Sequence, residues 1–116
     1  MKILLTLRDN DIAPRFDLTS EVLIVDSDHG NVVGNPRNIL LPGPSGDELC
    51  SLIIKEEISL VVCGGIEEAH FQYLGWKKIT VVDRVIGLAA DALRLVLAGR
   101  LKTGAVLRGS QVDDML

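Results

Sequence analysis

The chain has 116 residues, a formal net charge of −4 and 47% hydrophobic residues, but only four aromatic side chains: Phe16, Phe71, Tyr73 and Trp76. That length is enough for one domain burying roughly two-thirds of its unfolded surface, around a core that must be aliphatic. The acidic balance and the shortage of stacking aromatics exclude a binder of nucleic-acid backbone, which needs a basic patch.

The N-terminal apolar run is only about five residues long before Arg8 and Asp9, too short for the core of a signal peptide. Nothing approaches the roughly 20 apolar residues of a membrane span. Two cysteines read as thiols, not as a disulfide framework. A cytoplasmic protein is expected, with no nucleic-acid or membrane partner.

In chain order, KILLTL (2–7) is continuously apolar and predicts a strand buried on both faces. RDNDIAPRFDLTS (8–20) is polar, holds a proline and reads as an extended loop. EVLIVDS (21–27) and VVGNPRNIL (32–40) predict a hairpin across the turn DHGN (28–31), with Pro36 marking an edge or an early end. His29 in that turn reads as a surface residue.

LPGPSGDEL then forbids regular structure until Ser45, which with Glu48 has the spacing of a capping box for a helix over 46–57. A fourth strand is expected over 58–63, a short helix over 66–74 and a fifth strand over 77–82. Ala89, Ala92, Leu93, Val96 and Leu97 recur at i, i+3, i+4, i+7 and i+8, a helix stopped by Gly99. The single domain is expected to cover 1–107, with 108–116 a mobile tail.

The order βββαβαβα predicts a five-stranded mixed α/β sheet flanked by helices, its parallel strands joined by right-handed crossovers. If strands one and four are parallel neighbours, the sheet grows both ways from that pair, and such switch points bind ligands beyond the carboxyl ends of the strands. Two segments meet there: the 8–20 loop and Cys63-Gly64-Gly65.

The glycines are expected to admit a close backbone approach to a bound object. Cys63, near a helix N-terminus, reads either as a stabilised thiolate or as a small buried hydrophobe. Glu67 and Glu68 in the following turn count against a phosphate cradle, and no Walker-type P-loop is present. Cys50 reads as packing. His70 reads as a core-edge histidine or as a second metal ligand. Cys63 and His70 lack the Cys-x-x-Cys support of a zinc site, and two cysteines cannot hold an all-cysteine iron–sulfur cluster.

VVCGGI, IAPRFD ahead of EVLIVD, and ALRLVLAGRL, in that order over about residues 1–101, resemble the dinitrogenase iron–molybdenum cofactor biosynthesis family. The resemblance implies a ribonuclease-H-like fold and a carrier or scaffold for a molybdenum–iron or molybdenum–copper sulfide cluster, or its precursor, handed to a protein partner. It implies cofactor contacts at Cys63, Gly64, Gly65 and Arg15, with Cys63 and His70 as candidates to touch metal.

One departure from the family pattern stands out. The family often has His-Phe-Gly where this chain has Arg15-Phe16-Asp17. An arginine has no lone pair to give a metal, but it pairs with anions through charge-assisted hydrogen bonds. Strand one carries no acid and strand four ends in Cys63, so a two-metal nuclease is excluded. A cysteine enzyme would need a base held by a third group, and only His70 is nearby. A non-catalytic cluster carrier is therefore expected. The alternative is a metal-free interaction or regulatory module.

Overall fold

A computed structural model of the chain describes residues 1–107. The nine residues expected to form a tail, 108–116, lie outside the described residues.

β1 (Lys2–Arg8) lies between β3 (Glu21–Asp28), antiparallel to it, and β5 (Leu60–Val62), parallel to it. β4 (Asn31–Leu40) continues the sheet beyond β3, and β6 (Thr80–Val82) runs parallel beyond β5. The path is β4-β3-β1-β5-β6, with the expected switch between β1 and β5. The sheet has six strands, not the five expected. The sixth is β2 (Asp11–Ile12), which folds back on the end of β1 within the supposed loop. Asp9 makes that turn in the left-handed region, at φ 56°, a conformation aspartate tolerates better than most residues. Two residues are too short to leave a periodic signal.

The hairpin is as its sequence indicates. His29 and Gly30 both have positive φ, 52° and 81°, as a two-residue type I′ turn requires. β4 is the sheet edge, which tolerates Pro36, and the register slips opposite Ile24–Asp26.

α1 (Gly46–Lys55) starts at Ser45, whose hydroxyl accepts the Glu48 N–H at 3.2 Å. α2 (Glu68–Trp76) starts two residues later than expected, because Glu67 is still extended at its N-terminus. β5 and β6 are shorter than their β-branched runs, so Cys63 falls just past its strand. α3 (Ala89–Leu97) ends before Gly99, at φ 69°.

β1 alternates its contacts between two cores. Leu4 packs with Val22, Ile24, Leu49, Ile53, Val61 and Leu74 on the face covered by α1 and α2. Ile3, Leu5 and Leu7 pack with Val25, Val62, Val82, Ala92 and Val96 on the face covered by α3. A strand enclosed on both sides needs no polar face, which explains KILLTL. No described helix is long and apolar enough to cross a membrane.

Candidate functional site

The chain leaving β1 is strapped across the carboxyl ends of the parallel strands. On one side Ile12 donates to the Gly87 carbonyl at 2.9 Å, and Ala89 donates to that of Asn10 at 2.9 Å. On the other, Gly65 donates to the Pro14 carbonyl and Phe16 donates to the Gly65 carbonyl, both at 2.8 Å. The second pair makes a parallel bridge between Arg15 and Gly65. A single 3-10 turn over Phe16–Leu18 follows, and the Phe16 ring is fully buried.

The strap explains the two glycines differently from the sequence reading. A Cβ on Gly64 would stand 2.4 Å from the Ala13 carbonyl oxygen and 2.5 Å from that of Pro14. The bare backbone admits the chain's own loop, not a ligand. Gly65 is less constrained, its added Cβ meeting nothing nearer than the Pro14 oxygen at 3.5 Å. Its N–H is already spent on Pro14.

Cys63 is likewise not where a thiolate contact needs it. Its side chain is fully buried among Leu4, Val61 and Leu74 in the α1–α2 core. Burial, reinforced by the Asp83 carboxylate, pushes the thiol up to about 12, so it is neutral. The expected help from a helix N-terminus is lost, because α2 begins five residues on. The buried reading of Cys63 is the one the fold adopts. Cys50, on α1, is also buried and raised to about 11, by desolvation and then by Asp47.

His70 belongs to a different place. Its ring packs against Gly46, where a Cβ would come within 2.4 Å of Cε1, and lies 5.7 Å from the Phe16 ring. Its Nε2 is 3.2 Å from Asp47 Oδ1, in the groove between α1 and α2. Cys63 is thus closed within the α1–α2 core, whereas His70 lines the groove between the two helices. Among the described residues no group of three or more His, Cys, Asp or Glu side chains is placed to hold a metal ion.

Of the expected contacts, Arg15 does reach an open crevice. A cleft of about 550 Å³ beside the strap is bounded by Arg8, Asp9, Pro14, Arg15, Leu18 and Glu21. A second hollow of about 460 Å³ lies across the strap, sharing Arg8, Asp9 and Pro14 and adding Asp11, Ile86 and Gly87. Arg15 is bound at both ends to Asp17, Nη2 to Oδ2 at 2.7 Å and Nε to Oδ1 at 3.1 Å. Arg8 makes no ion pair among the described residues. The sequence reading passed over Arg8, although it directly follows the last apolar residue of a strand ending at the switch point.

No family model matches the chain, and no curated protein sequence matches it. Solved structures do. The chain is similar to the crystal structure of the protein PH0822, at 22% identity and a TM-score of 0.80 over 89% of this chain and 94% of that one. It is also similar to a Methanocaldococcus jannaschii protein provisionally named a dinitrogenase, at 25% identity and a TM-score of 0.71 over 88% and 92% of the two chains. A Thermotoga protein provisionally named a NifB protein, of the DUF35 family, aligns over 94% and 98% with a TM-score of 0.67 and 14% identity. The likenesses at 22% and 14% concern the fold alone.

Proposed function

We propose that the protein is a non-catalytic accessory of nitrogenase-type cofactor metabolism, built on a ribonuclease-H-like sheet. It takes up an anionic, molybdenum-containing metal–sulfur species in the Arg8–Arg15 crevice and passes it to a protein partner. The area of metabolism is supported by the likeness to the protein named a dinitrogenase, together with VVCGGI and IAPRFD in the sequence. The mode of binding rests on one observation: a cleft at the carboxyl ends of the parallel strands carries two guanidinium groups, one of them without an ion pair among the described residues.

In this reading the protein forms no bond to metal. Terminal sulfides of the cargo accept charge-assisted hydrogen bonds from Arg8, and from Arg15 once it leaves Asp17. Guanidinium suits the task because it stays charged and donates in a planar fork. The Asp17 pair restrains affinity, since an entering anion competes with a carboxylate already in place.

Anaerobic titration with tetrathiomolybdate, alone and with copper or iron, tests the reading by visible absorption. Saturable binding is expected. Arg8→Ala should weaken it about tenfold, the scale of one charge-assisted hydrogen bond at a wet site. Asp17→Asn should tighten it by releasing Arg15, and Cys63→Ser should leave it unchanged in the folded protein. Absence of saturable binding sinks the proposal. The weight then moves to a metal-free interaction or regulatory module, which the closed Arg15–Asp17 pair favours.

A further inference from the structure

Three of the four aromatic side chains are on α2, and all three are exposed: Phe71 at 41%, Tyr73 at 39% and Trp76 at 81%. Only Leu74 of this helix is buried. Opposite Leu74, the exposed residues Ala69, Gln72, Tyr73 and Trp76 repeat at i, i+3, i+4 and i+7, the spacing of a helix-packing stripe. A tryptophan this exposed at the end of such a stripe marks an interaction surface.

The stripe is complementary to itself when run backwards. In an antiparallel pair of α2 helices with the two-fold axis between Gln72 and Tyr73, each Ala69 faces the partner's Trp76, small against large. The same arrangement brings the Glu67–Glu68 end of one helix beside the Lys77–Lys78 end of the other. Ala69 also forms part of a groove of about 370 Å³ between α1 and α2, with Asp47, Ser51, His70 and Tyr73. The indole opposite Ala69 therefore has a hollow to enter. Asp47, whose side chain is 96% exposed, and Ser51 provide acceptors there for the indole N–H. Lys77 is already held over the Tyr73 ring at 5.7 Å, so part of its ordering cost is met within the monomer.

We infer that α2 is the two-fold interface of a homodimer, with Trp76 of each copy seated in the α1–α2 groove of the other. The inference is independent of what occupies the Arg8–Arg15 crevice. Two tryptophans, each burying roughly 200 Å², with one short helix a side make a small interface and a weak dimer, dissociating on the order of 10 µM.

Trp76 is the single tryptophan of the chain, so its emission reports the contact directly. The full-length protein is diluted from about 200 to 1 µM, across the range where mass action dissolves a weak dimer. Sedimentation velocity and tryptophan emission are recorded together. The dimer should dissociate as the emission shifts to the red. Trp76→Ala should weaken association at least tenfold without changing the melting temperature of the dilute protein. Glu67→Lys with Glu68→Lys, and Lys77→Glu with Lys78→Glu, should each be monomeric alone and dimerise when mixed. A wild type that stays monomeric with red emission throughout overturns the inference and leaves the stripe to a different protein. Dimerisation unchanged by Trp76→Ala overturns it equally.

Discussion

Gly64 lies against Pro14, and the two segments are locked by the neighbouring 2.8 Å hydrogen bond from the Gly65 N–H to the Pro14 carbonyl. A methyl group at residue 64 would collide with the carbonyls of both Ala13 and Pro14, which are rigid backbone. Gly64→Ala should therefore cost about 3 kcal/mol, in the upper range for overpacking a closed site. Gly65→Ala, with its contact at 3.5 Å, should cost much less. Urea unfolding of the two variants makes the comparison. Equal losses would refute the strap as the reason for Gly64.

The thiols set an alkaline limit. Cys63 is raised to about 12 and Cys50 to about 11, first by burial and then by Asp83 and Asp47 respectively. A thiol with a raised folded-state pKa stabilises fully below its ordinary value of 9. That stability is lost as pH climbs from there towards the folded value, because the unfolded chain ionises first. Melting temperature should fall above pH 9. Alkylation of the native protein at pH 8 should be far slower than that of the chain in denaturant. Rapid labelling of Cys63 under native conditions would contradict its burial.

An acid-side effect comes from Glu56. Its carboxylate is held below the ordinary 4.5 by the Arg37 guanidinium at 2.6 Å, with Lys2 at 3.6 Å assisting. A lowered carboxyl stabilises above its unfolded pKa and loses that contribution as pH falls through the folded value. The Arg37 side chain is about half exposed, so the pair is worth less than about 1 kcal/mol. Arg37→Ala should lower the melting temperature slightly at pH 7, change little near pH 3, and so flatten the fall between them. An unaltered acid limb would show that Glu56 does not govern it.

Two conservative replacements separate burial from capping. The Thr6 hydroxyl is buried with no hydrogen-bond partner among the described residues. Thr6→Val should thus be neutral or stabilising, within about 1 kcal/mol. Ser45 caps α1 through the Glu48 N–H, and Ser45→Ala should cost about 1 kcal/mol. Thermal denaturation of both variants checks the opposite signs.

The sequence by itself determined the parts governed by local chemistry. Continuous apolar character marked β1 as enclosed on both faces, His29-Gly30 closed the hairpin, Ser45 opened α1, and the Ala89–Leu97 periodicity marked α3. Those signals recur over several residues or need one particular backbone conformation, so they survive without knowledge of the fold. Arg15 lines the crevice because it lies in the connection leaving β1 at the switch point.

Tertiary structure decided the rest. Two residues of β2 carry no pattern and exist only because the strap bends back on β1. The Gly-Gly pair looks the same in sequence whether it faces a ligand or another stretch of chain, and only the approach of Ala13 and Pro14 distinguishes the two. Cys63 has the same identity as a thiolate or as a hydrophobe. Its charge state is fixed by desolvation among side chains from β1, β5 and α2, contacts distant in sequence. The exposure of Trp76 follows from the same cause: α2 turns Leu74 to the sheet, and the helical period then puts Ala69, Gln72, Tyr73 and Trp76 on the open side.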